Sequence, residues 1–170
     1  MKKIFYFLKL ATFFVFIGFT FSILGCKAKF IPSTSVEYSL QNKSIVAFLE
    51  VYKQALEKKS VESVLALVAP DFEDNAASED PKGKFNYLRL KERLENHFSR
   101  VKNLNLGMFV QHIKRLEKDL YEVVFYFNEQ ALLNIPNQDE WVSIKDVNRM
   151  VLRKKPAVKA PYNYEIVSGI

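Results

Sequence analysis

Two alternating runs in the C-terminal half carry polar side chains where the pattern asks for apolar ones. Leu104, Leu106, Met108 and Val110 occupy one side of a period of two, and His112 continues it. Val142, Ile144, Met150 and Leu152 occupy another such side, interrupted by Asp146 and Asn148. If both runs face one interior, His112, Asp146 and Asn148 share a cavity, with Tyr52 or Tyr164 beside them. A histidine with a carboxylate suits proton transfer near neutral pH, where neither group alone is well matched. Asp146 or His112 would be the general base, and Asn148 or a tyrosine would hydrogen-bond a developing oxyanion. The competing reading is a bulge in either strand, which flips the register and turns the same side chains to water. Asp146 would then pair with Arg149, Lys145 or a neighbouring strand. The other histidine, His97, lies next to Phe98 in a helical pattern and reads as a surface or half-buried residue. Two isolated histidines without Cys or carboxylate at ligand spacing argue against a metal site. No cofactor is expected, since no Gly-rich phosphate loop is present.

The single cysteine carries a different chemistry. The first 25 residues hold Lys2, Lys3 and Lys9, no acid, and 7 of the 15 Phe. Leu10 to Leu24 is an uncharged run, shorter than the roughly 20 residues a comfortable span needs. A positive start followed by a short apolar core describes an export signal. Its end, Ile23-Leu24-Gly25-Cys26, resembles a bacterial lipobox, with Leu24 bulkier than the small residue usual there. That resemblance implies cleavage before Cys26 and acylation of its thiol, which anchors the chain to a membrane of the cell envelope. The alternative is an uncleaved signal anchor closed by an incidental cysteine.

The 170 residues carry a net charge of +6 and are 49% apolar and 26% charged, with 5 Gly and 6 Pro. Those values exclude a polytopic membrane protein and a disordered or collagenous chain. One cysteine excludes an internal disulfide framework. The charge is uneven: residues 44–170 hold 19 basic against 18 acidic side chains. A nearly neutral domain with an export address disfavours nucleic acid as a partner. The division expected is therefore a signal peptide over 1–25, a lipidated Cys26 with a flexible tether over 26–43, and one domain over 44–170.

Positioning of the polar residues falls to three helices and a sheet. Ser44 is a plausible cap for a helix through Ile45, Phe48, Leu49, Tyr52 and Leu56, closed by Lys58 and Lys59. Ser60 can cap a shorter helix through Val61, Val64, Leu65 and Val68, stopped by Pro70. Residues 71–84 are acidic and turn-rich, which fits a loop or a weak hairpin. A third helix over about 86–101 puts Tyr87, Leu90, Leu94, Phe98 and Val101 on one side. Strands then follow around 104–112, 121–127, 142–152 and 162–168. Helices first and strands joined by short turns afterwards give an α+β domain with an antiparallel, strongly curved sheet. Arg149, Arg153, Lys154, Lys155 and Lys159 form a basic cluster near the last hairpin. It would meet anionic headgroups or an acidic partner, or simply guard strand edges.

This order resembles the nuclear transport factor 2-like superfamily, including its SnoaL-like members. The carriers are Phe48-Leu49-x-x-Tyr52-x-x-Ala55-Leu56, Ser60-Val61-Glu62-Ser63-Val64 and Ala69-Pro70-Asp71-Phe72. Arg149-Met150-Val151-Leu152-Arg153 with Tyr164-Glu165-Ile166-Val167 is similar to that family's final hairpin, Tyr164 standing where a Trp is frequent. The resemblance covers about residues 44–170 and implies a cone of helices and sheet around an interior pocket. Family members include isomerases, dehydratases, binding domains and dimeric scaffolds, so fold does not assign function. Two readings follow. One is a non-catalytic, membrane-tethered module that binds a small apolar ligand or an envelope protein, with a homodimer through the sheet face as a further option. The other is a small pocket enzyme of isomerase or dehydratase type.

Overall fold

The computed structural model describes residues 29–74, 85–136, 138–156 and 163–170. The stretch expected to be an export signal, Cys26 and Lys159 lie outside the described residues. Three helices precede the main sheet among those described: α1 (Leu40–Glu57), α2 (Val61–Leu65) and α3 (Tyr87–Arg100). Each begins with a side-chain cap that satisfies an otherwise unpaired backbone N–H. The Ser39 hydroxyl accepts from Asn42 N at 3.0 Å, Ser60 from Ser63 N at 3.1 Å, and Asn86 from Arg89 N at 3.2 Å. The first helix therefore starts one turn earlier than a cap at Ser44 implies. Just past its far end Lys59 takes a left-handed φ of 52°, and its ammonium donates to the carbonyls of Val101 and Lys102 at 2.8 and 2.9 Å. That lysine ties the helix end to the start of the sheet.

Two short strands, β1 (Glu73–Asp74) and β2 (Phe85–Asn86), pair antiparallel and give the weak hairpin its base. The main sheet is an antiparallel meander of β3 (Val101–Arg115), β4 (Leu120–Ile135), β5 (Gln138–Lys154) and β6 (Tyr164–Ser168). Its register puts Val110, Phe125 and Asn148 in one cross-strand row, and Met108, Phe127 and Asp146 in the next. Even residues of β3 up to Val110, odd residues of β4 and even residues of β5 thus share the face that the helices cover. Ile45, Phe48, Leu49, Tyr52 and Ala55 of α1, with Leu90, Leu94 and Phe98 of α3, pack onto it around Val123, Phe125, Met150 and Leu152.

Short segments cover part of both sheet edges, which removes exposed pairing groups. Ser35 N donates to Val110 O at 3.0 Å beside β3. On the other side, Ala69 N donates to Ile166 O and Ile166 N to Leu67 O, at 2.9 and 2.8 Å. The flexible tether expected up to residue 43 is therefore corrected over its described part. Ile31 and Val36 are buried at 6% and 5% exposure, and Leu40 already opens α1. Scattered apolar residues in a polar stretch found a place on the sheet that no periodicity announces.

Two residues of the basic cluster are paired with acids of the domain. Arg153 Nε donates to Glu165 at 2.7 Å, and its two terminal nitrogens grip Asp71 at 2.9 and 2.6 Å. Arg149 lies 3.7 Å from Glu122.

Candidate functional site

A cavity of about 230 Å³ lies between α1, α3 and the covered face of the sheet. Leu56, Leu90, Leu94, Phe98, Leu104, Leu106, Met108, Phe125 and Phe127 make its apolar wall. Tyr52, Arg93, His97, Glu129 and Asn148 supply its polar groups. A mainly apolar cavity with a few convergent polar groups is the usual form of a small-molecule site.

Tyr52 reaches the cavity from the fourth turn of α1 and is 5% exposed. Burial raises its pKa far above the ordinary tyrosine value, the charge of Glu129 raises it further, and Arg93 pulls the other way. The hydroxyl is therefore neutral throughout the physiological range and able both to donate and to accept. Across the cavity His97 Nε2 lies 3.4 Å from Glu129 Oε1. His97 follows Leu90 by seven residues and Arg93 by four, so α3 presents all three along one side. Glu129 continues the inward side of β4, after Tyr121, Val123, Phe125 and Phe127. Arg93 lies at the rim, its guanidinium carbon 5.5 Å from the Phe85 ring centre. Among the described residues no ion pair holds it.

Gly169 and Ile170 lie beside the cavity. Asn148 Nδ2 donates to Gly169 O at 3.0 Å, and Gly169 N donates to Asp74 Oδ2 at 2.8 Å. This brings Ile170 onto the cavity wall. Gly169 has φ 88°, and a Cβ there would lie 2.0 Å from Arg149 O, so only glycine fits.

The five residues singled out for the pocket separate. Tyr52 and Asn148 line the cavity. Asp146 does not: it is exposed, it accepts from Val147 N at 2.7 Å, and it borders a wider groove that opens past Arg93, His97 and Asn148. His112 is also excluded, because the register shifts between Val110 and His112. Gln111 is the extra residue, so His112 faces Val124 on the outer side and is exposed, while Ile113 takes the inward position opposite Val123. Tyr164 is a core residue, 2% exposed, edge-on to Phe48 and Tyr121 at 5.9 and 6.2 Å. Its hydroxyl accepts from Gln41 Nε2, and burial raises its pKa. His97, Glu129 and Arg93 are the polar cavity residues that sequence reasoning passed over. Glu129 carried the same signal as Asp146, a polar residue in register with an apolar side, two positions past Phe127. Among the described residues no group of three His, Cys, Asp or Glu could hold a metal, and no helix is long and apolar enough to cross a membrane.

No family model matches the chain, and no curated protein matches it. Solved structures do. A conserved protein from Planctomyces limnophilus superposes with a TM-score of 0.62 at 8% identity, over 76% of this chain and 92% of its own. A ketosteroid isomerase-like protein from Erwinia carotovora atroseptica gives 0.60 at 13%, over 78% and 95%. A nuclear transport factor 2-like superfamily protein from Salmonella enterica gives 0.59 at 13%, over 75% and 86%. The fold is nuclear transport factor 2-like. Helices on one face of an antiparallel meander, with the cavity between them, agree with that fold. At these identities the likeness carries architecture and transfers no residue's role.

Proposed function

We propose that this chain is an exported bacterial lipoprotein, acylated at Cys26 and held at an envelope membrane, whose domain binds a small, largely apolar molecule. The observation that carries the binding function is the cavity itself. Its wall is aliphatic and aromatic, and its polar groups gather at Tyr52, the His97–Glu129 pair and the Arg93 rim. A ligand with an apolar body and one polar or anionic end matches that division. The anilinonaphthalene sulfonate ANS has this shape and tests it. Its fluorescence should rise on the folded protein and fall to background with Met108→Trp, which fills the space. Equal fluorescence from both, with unchanged circular dichroism, would sink the reading. The anchor is tested separately by the mass of membrane-extracted protein, where an intact Met1 or an unmodified Cys26 thiol counts against it.

A second reading, a pocket enzyme of isomerase or dehydratase type, is favoured by His97 and Glu129 standing 3.4 Å apart in the cavity that Tyr52 also lines. In this reading Glu129 and His97 replace Asp146 and His112 as the proton-transfer groups, and Tyr52 would donate to an oxyanion. A turnover that survives both Glu129→Gln and His97→Ala would remove it. For the outer sheet face we propose a second copy of the chain or an envelope protein as partner. Phe109, Tyr126 and Val147 stand there in one cross-strand row, 41%, 36% and 52% exposed. Val147→Glu should dissociate any dimer seen by sedimentation; a dimer unaffected by it uses another face.

A further inference from the structure

Two residues, Lys27 and Ala28, separate Cys26 from the first described residue. Three extended steps of about 3.6 Å keep the Cys26 Cα within roughly 11 Å of the Lys29 Cα. From Lys29 onward the chain is docked rather than free. Tyr38 N donates to Lys29 O at 2.8 Å, Ile31 N to Val36 O at 2.9 Å, and Ser35 N to Val110 O. Three large apolar side chains nevertheless remain open to solvent beside this exit point: Phe30 at 45%, Tyr38 at 50% and Leu40 at 82%. Single exposed apolar residues are unremarkable, but these three fall within one short stretch. Lys29 and Lys43 are exposed with them, and the acid of the stretch, Glu37, lies 3.8 Å from Lys29.

We infer that this end of the domain rests on the bilayer surface, with Phe30, Tyr38 and Leu40 in the headgroup region and Lys29 and Lys43 against anionic headgroups. The inference rests on the acylation of Cys26 proposed above. An acylated Cys26 lies at the interface, and a link of two residues leaves no room for the domain to stand off. Aromatic rings and lysines are the side chains that occupy such an interface, the rings at headgroup depth and the ammonium groups reaching for phosphate. The contact also fixes which end faces away. α1 begins beside Gln41, bonded to Tyr164, and ends two residues before the Lys59 that grips Val101. Its 18 residues measure about 27 Å at 1.5 Å each. Trp141 pairs with Leu132, which pairs with Asn103, so it belongs to the distant end.

The full-length protein, extracted with its anchor, is reconstituted in phosphatidylethanolamine–phosphatidylglycerol vesicles whose acyl chains carry bromine. Native Trp141 reports the distal end, and Leu40→Trp in a Trp141→Phe background reports the proximal one. Emission from the Leu40→Trp protein should shift to the blue and be quenched severalfold more than that of Trp141. Equal quenching at the two sites, with the acyl mass present on Cys26, overturns the inference and leaves the anchor standing. A blue shift without bromine quenching means protein covers the patch, and also overturns it. An unmodified Cys26 in the mass spectrum overturns both.

Discussion

His97 on α3 and Glu129 on β4 approach to 3.4 Å across the cavity, a side-chain link between the helical layer and the sheet. His97 keeps 41% of its side-chain exposure and Glu129 19%. A pair that wet is worth about 0–1 kcal/mol. Glu129→Gln should therefore leave the unfolding midpoint nearly unchanged while altering ANS affinity in the cavity. A large loss of stability without change in affinity would make the pair a structural strut.

Tyr52 sets the alkaline limit. Its folded pKa lies above the ordinary value of 10.0, so the folded state holds its proton more tightly than the unfolded state does. The stabilising contribution is complete below pH 10 and declines as pH rises from there toward the folded pKa. Tyr164 acts in the same direction. Denaturant unfolding as a function of pH should show stability falling above about pH 10, and Tyr52→Phe should flatten that fall.

Arg153 holds three carboxylate oxygens from two chain segments in one fork. Arg153→Lys keeps the charge but cannot reproduce the paired contact with Asp71. A loss of about 0.5–1 kcal/mol is expected at neutral pH for so exposed a network. Asp71 has a folded pKa below its ordinary 3.8. The contribution is therefore present above that value and lost as pH falls through the folded pKa. Wild type and Arg153→Lys should converge in acid urea titrations; a constant gap would assign the effect to packing.

Gly169→Ala should be the most damaging conservative change near the site. The added methyl meets Arg149 O and Met150 Cα at 2.0 and 2.7 Å, and the positive φ is unsuited to alanine. Displacing this residue releases Asn148 and Asp74 together. A loss of more than about 2 kcal/mol is expected, together with weakened ANS binding. Retention of the wild-type midpoint would contradict the clamp.

The elements were legible where local chemistry decides them. Ser60, the Val61–Leu65 turn, the Asn86–Arg100 pattern and the alternation of β4 each announce themselves over a few residues. Tyr52 and Asn148 were found because a polar group in an apolar register survives into the fold. What stayed hidden depends on contacts distant in sequence. Nothing local marks Gln111 as the residue the ladder skips, and that one irregularity removed His112 from the interior. Tyr164 looked like a pocket tyrosine because its hydroxyl is polar, yet its ring is held among Phe48 and Tyr121. Ile31 and Val36 looked like linker because their partner, the β3 edge, comes more than 70 residues later.

The skipped residue also shapes how this interior can change. A substitution at Gln111 leaves the pleat as it is, whereas deleting Gln111 restores strict alternation beyond Val110. His112 would stay turned to water and Ile113 toward the helices, now in an unbroken ladder. The bulge, rather than the composition of β3, keeps the imidazole out of the interior, since pairing Gln111 opposite Val124 would bring His112 opposite Val123 and inward. A one-residue slip in that ladder is enough to gain or lose an interior imidazole without inventing a new side chain.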